Sequence, residues 1–164
     1  MLMTDLLAKE EWQALEQELH DRWGVNACAY GADGFTFTGY KNFGNPLCPA
    51  IKAKPEGIQA ICSVAHQNMA AKAKETKATV IAECDAGLLK ICVPVFAGGE
   101  FVGIIGGCGR LPVDGEVDAF AIEKAAGIPE AEVETLAAEV KPMPMDEARE
   151  MAGFLETKVA EIVK

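Results

Sequence analysis

The chain is poor in histidine, in positive charge and in long apolar runs, and each shortage removes a class of function. Only His20 and His66 are present, which leaves little for a histidine-rich metal centre or a Cys–His catalytic pair. No apolar stretch approaches the ~20 residues of a membrane span. Met1 to Leu7 carries Asp5 and runs into Lys9, Glu10 and Glu11, without the basic-then-apolar order of a signal peptide, so a cytoplasmic location is expected. Fifteen basic residues stand against 25 acidic ones, giving a net charge of -10. A nucleic-acid partner, held mainly by clustered Lys and Arg, is therefore not expected. The glycines from Gly98 to Gly109 lack the strand-to-helix setting and the Lys-Ser/Thr ending of a phosphate loop, and neither a repeat nor a low-complexity segment occurs.

What remains is a chain of 164 residues, half of them hydrophobic, enough for one domain over residues 1–164 with its own core. Ala8, Trp12, Leu15, Leu19 and Trp23 recur at helical spacing behind Thr4 and end at Gly24, predicting a helix over 4–23. Residues 25–30 and 35–40 flank a Gly31-Ala32-Asp33-Gly34 turn and predict a hairpin. From Pro55 to about Lys77, Ile58, Ile61, Cys62, Ala65 and Met69 mark one face of a helix. A short strand over 79–82 and a turn at Cys84-Asp85-Ala86-Gly87 lead into a second hairpin, 88–96 with 101–109, closed by Gly98-Gly99. The last third predicts helices over 115–126, 129–140 and 146–163, the final one striped by Met151, Leu155, Val159 and Ile162. This order implies an α+β fold: a five-stranded antiparallel sheet with flanking N- and C-terminal helices, as in PAS and GAF domains.

Six cysteines in a reducing compartment are either small core residues or ligands. Cys48, Cys62, Cys84 and Cys108 follow the spacing C-x13-C-x21-C-x23-C, with no C-x-x-C pair. If the fold gathers them they line one pocket, suited to zinc or an iron–sulfur cluster; otherwise they are buried thiols acting as small hydrophobes. With a two-residue hairpin loop, Cys108 falls opposite Leu89, near the Cys84 turn. Cys108 then shares a face with Leu89, Ile91 and Val93, and Cys92 goes with Lys90 on the other, unless a bulge reverses the assignment. Cys28 and Cys92 are expected in the core. His66, four residues beyond Cys62, is a candidate to add a nitrogen to the site or to sit exposed on the helix, and Asp85 to cap its turn or face a ligand. No base is paired with a thiol, and enzymatic function is not expected.

The ordered set Asn45-Pro46-Leu47-Cys48, Pro55-Glu56-Gly57-Ile58-Gln59-Ala60-Ile61-Cys62, Glu83-Cys84-Asp85-Ala86-Gly87-Leu88, Val93-Pro94-Val95 and Gly99 to Gly107 resembles the PocR sensory-domain family over about residues 23–110. The resemblance implies a PAS/GAF-like sensor that binds small hydrocarbon derivatives such as diols. Cys48, Cys62 and Cys84 match the family's recurrent cysteines. Asp85 stands where many members have His, and Cys108 where many have Gln, which turns a three-thiol pocket into a four-thiol one. The expected cargo is an iron–sulfur cluster or another thiophilic metal, with a small organic ligand as the alternative. An effector domain is not expected, and the terminal helices are expected to carry a signal through a homodimer or a signalling partner.

Overall fold

The computed structural model describes every residue from Met1 to Lys164. Its scaffold is a sheet in the order β1-β4-β3-β2, built from β1 (Asn26–Gly31), β2 (Val80–Glu83), β3 (Leu89–Ala97) and β4 (Glu100–Pro112), with all three pairings antiparallel. A fifth strand, β5 (Pro142–Met143), runs parallel to the end of β4. The architecture is the expected α+β sheet with flanking helices, but the fifth strand does not come from residues 35–40.

That segment is a loop, touching β1 only through a bridge between Tyr30 and Thr36. Side chains do there what a neighbouring strand would have done. The Asn42 side chain accepts from the Ala27 amide at 2.7 Å and donates to the Ala27 carbonyl at 2.9 Å, and Glu16 accepts from the Ala29 amide at 2.9 Å. With its outer amides satisfied, the edge strand needs no ladder partner.

Two long helices cover one face of the sheet. The helix expected over 4–23 is interrupted into α1 (Met3–Leu6) and α2 (Lys9–Trp23), and the latter ends at Gly24 in the left-handed region, φ 62°. At the other terminus, α8 (Met145–Ile162) lays Met151, Leu155 and Val159 on the same face. Together with Leu89, Ile91, Val93 and Val95 of β3 they form a core of 21 buried residues that includes Trp12 and Trp23. Met151, Leu155 and Val159 of the α8 stripe are thus buried within the chain, beside α2. Arg110 ties this layer together: its guanidinium donates to the carbonyls of Trp23 and Pro142 and pairs with Glu147 at 3.2 Å.

The opposite face is covered by α3 (Leu47–Lys52), α4 (Pro55–Gly57), a π-helical stretch (Ile58–Ser63) and α5 (Val64–Thr76), the last three running on as one helix. The wider π turn breaks the regular spacing of the expected apolar face. Ile61, Ala65 and Met69 are buried, whereas Ile58 is 38 % exposed. Beyond the sheet, α6 (Ala119–Ala126) and α7 (Glu130–Ala137) close a second core around Leu47, Ile51, Ile61 and Leu88.

Candidate ligand site

The floor of the site is set by the β3–β4 register. Gly98 and Gly99, both at positive φ (57° and 82°), make the two-residue turn, and Ala97 pairs with Glu100 as expected. Between Val95 and Phe96 the register shifts, because β4 carries one extra residue, and from there Lys90 rather than Leu89 lies opposite Cys108. The face assignment is therefore the reverse of the expectation: Cys108 shares its face with Lys90 and Cys92, away from the 21-residue core. Since Asn26 pairs with Cys108 and Cys28 with Gly106 on β1, two rows cross the sheet side by side. One reads Asn26, Cys108, Lys90; the other reads Cys28, Gly106, Cys92. Gly106 admits no side chain here, as a Cβ would stand 1.8 Å from the Ile91 carbonyl oxygen.

Two adjoining hollows open above these rows. The smaller, about 40 Å³, is walled by Cys48 from α3, Cys62 from the π-helical stretch, Cys84 from the turn before β3, and Cys108 from β4. Four thiols from four separate elements thus converge, with Lys90, Asn26 and Tyr30 beside them. The larger hollow, about 540 Å³, shares Asn26, Tyr30, Lys52, Lys90 and Cys108 with the first and adds Cys28, Cys92 and the loop from Thr36 to Phe43. All six cysteines are unpaired, and all six line one hollow or the other. Cys28 and Cys92, expected only as core residues, are wall residues of the larger one.

The sulfurs are held by amide donors. Asn45 Nδ2 donates to Cys48 Sγ at 3.3 Å and to the Gly109 carbonyl at 2.8 Å, while its Oδ1 accepts from the amides of Leu47 and Cys48 at 2.8 Å each. One side chain therefore starts α3, fixes the end of β4 and addresses a thiol. Asn26 Nδ2 reaches Cys108 Sγ at 3.8 Å, with its Oδ1 accepting from the Gly44 amide at 2.7 Å. Burial pushes Cys48 up to about 12, reinforced by negative charge at Cys108 and opposed by the Asn45 and Asn26 donors. Burial also raises Cys62, opposed first by Lys52 and reinforced by Cys108 and Cys84, and raises Cys84, opposed first by backbone hydrogen bonds at Leu88 and Ala86 and reinforced by Cys108. Cys48, Cys62 and Cys84 are therefore protonated near pH 7.

Lys90, only 7 % exposed, is the residue that sequence reasoning placed off the site. A lysine between Leu89 and Ile91 reads as the solvent side of an alternating strand, and only the shifted register turns it inward. Burial works against its ammonium, and its upward shift comes from Tyr30, Cys108, Cys92 and Cys28 only when these are ionised; burial raises Tyr30, Cys28 and Cys92 in turn, so near pH 7 these three are neutral and give it no counter-ion. It forms none of the chain's ion pairs, and its Nζ stands 5.2 Å from the Tyr30 ring centroid.

His66 and Asp85 lie outside both hollows. His66 is buried rather than displayed on the helix, stacked on Tyr30 with centroids 3.7 Å apart and its Nδ1 without a partner. Burial and the Lys90 charge lower it to about 4, so it is neutral near pH 7. Asp85 is exposed on its turn. No three His, Cys, Asp or Glu side chains stand close enough together to hold a single metal ion.

A family model described as the sensory domain found in PocR matches residues 5–164. The chain belongs to the PocR sensory-domain family. The match runs past residues 23–110, where the shared motifs are concentrated, and takes in the terminal helices, so in this PocR domain α2 and α8 belong to the family unit. Neither the curated proteins nor the solved structures contain a match to the chain. No helix of this PocR domain is long and apolar enough to cross a membrane.

Proposed function

We propose that this domain is a non-enzymatic sensor working in a reducing, cytoplasmic compartment, and that Cys48, Cys62, Cys84 and Cys108 jointly hold an iron–sulfur cluster. The convergence of four thiols on one hollow carries this reading. No three of these thiols stand close enough for one ion, which counts against zinc, whereas a cluster takes its thiolates on separate irons. Two features support an anionic thiolate guest. Asn26 and Asn45 direct N–H groups at two of the sulfurs, the outer-sphere bonds that tune such centres, and the hollow is lined by Lys52 and Lys90 with no Asp or Glu. Oxidation or loss of the cluster would release α3 and the π-helical stretch, each of which supplies one ligand, and alter the surface they form. A thiol enzyme would need a base beside a cysteine, and the only buried histidine lies outside both hollows.

Anaerobic purification followed by iron, zinc and sulfide analysis and a visible spectrum tests the reading. Iron and acid-labile sulfide in equal amounts, with broad visible absorbance, are expected. A colourless, metal-free protein with all six thiols titratable would overturn it. The volume of the larger hollow favours a second reading, in which a small organic molecule is the species sensed.

A further inference from the structure

The larger hollow runs against the character of the chain. None of its wall residues is Asp or Glu, while Lys41, Lys52 and Lys90 are among them, in a protein with 25 acidic and 15 basic residues. Lys90 is the informative one. It is nine-tenths buried, has no carboxylate partner and lines the hollow. A buried ammonium without a counter-ion is costly, and a fold retains one where an anion arrives from outside. The other walls describe what that anion is attached to. Ile58, Ile104 and Phe43 give an apolar surface, at a volume suited to a small organic molecule. No arginine lines the hollow, so the forked donor that favours phosphate is missing.

We propose that the larger hollow binds a small organic monocarboxylate, with its carboxylate on the Lys90 ammonium and its carbon chain against Ile58, Ile104 and Phe43. Lys52, half-buried with its Nζ 5.9 Å from the Phe43 ring centroid, supplies a second positive charge to the same hollow. This rests on the face under α3 to α5 being the sensing face, but not on a cluster occupying the thiol ring.

Calorimetric titration of the full chain, with its metal content measured on the same samples, tests the proposal. The probes are acetate, butyrate, hexanoate and benzoate, each beside the neutral alcohol of the same carbon skeleton. At least one acid is expected to bind and to raise Tm, with its alcohol at least tenfold weaker. Lys90→Met should weaken that acid at least tenfold, and Lys52→Gln by a smaller factor. Alcohols that bind as well as their acids, an acid series that does not bind, or Lys90→Met with parental affinity would each overturn the proposal. Should Lys90→Met not fold, the acid–alcohol comparison on the unaltered protein decides alone. Metal content separates a failure here from a failure of the cluster reading.

Discussion

The two faces of the sheet are built on opposite principles. Under α2 and α8, the strands present Leu89, Ile91, Val93 and Val95 to two tryptophans and an unbroken apolar stripe, with no cysteine anywhere in the cluster. Under α3 to α5, the same strands present Asn26, Cys28, Tyr30, Lys90, Cys92 and Cys108 to open hollows. This second face leaves a histidine nitrogen, a lysine and a set of thiols short of partners, and such groups are retained where a ligand completes them. Folding strength is therefore expected to reside on one face and sensing on the other.

Mutations on the two faces would sharpen or break that division. Trp12, fully buried and donating from its indole to the Met3 carbonyl at 2.9 Å, should cost about 3–5 kcal/mol as Trp12→Ala, measured by denaturant unfolding. Leu155→Ala should follow at about 2–5 kcal/mol. Losses of that size from Cys108→Ala in metal-free protein would mean that the sensing face is also a load-carrying core.

The next largest effect is expected from pH. His66 is lowered to about 4 from its ordinary 6.5, so the unfolded chain takes up a proton between these values that the folded chain refuses. Its contribution is present above pH 6.5 and is lost as pH falls towards 4, by up to about 3 kcal/mol. His66→Phe, which keeps a ring on Tyr30, should flatten the fall of Tm in that window. An unchanged profile would assign the acid sensitivity elsewhere, and not to Glu16, whose carboxyl is raised by burial and so takes up its proton more readily in the folded chain, an effect of opposite sign.

A smaller effect, of opposite sign, is expected at Lys90. In ligand-free, metal-free protein Lys90→Met removes a buried charge that no carboxylate neutralises and should stabilise the fold by about 1–2 kcal/mol. Destabilisation by thermal or urea unfolding would show that Lys90 serves the scaffold rather than a guest.

Much of this plan is legible in the sequence, and the parts that are not have definable causes. The β3–β4 hairpin is announced by Gly98-Gly99, and the helices by their periodic apolar positions. The gathering of Cys48, Cys62, Cys84 and Cys108 follows from laying the Cys62 helix over the sheet. What decides the face of Cys108 is one extra residue in β4, and a bulge among alternating apolar residues leaves no mark in composition. That single shift also hides Lys90. Residues 35–40 carry the aromatic, β-branched look of a strand, but Glu16 and Asn42, 13 and 15 residues away from the amides they satisfy, occupy the edge instead. His66 reads as a candidate ligand or an exposed helical residue, because its partner Tyr30 lies on a strand far away in the chain.

The central claim, that four particular thiols act together, is tested most directly by the iron content of six single variants purified anaerobically. Cys48→Ser, Cys62→Ser, Cys84→Ser and Cys108→Ser should each lose most of the iron found in the unaltered protein, whereas Cys28→Ser and Cys92→Ser should keep it. Iron that is absent from the parent, or that falls equally in all six, would contradict the account.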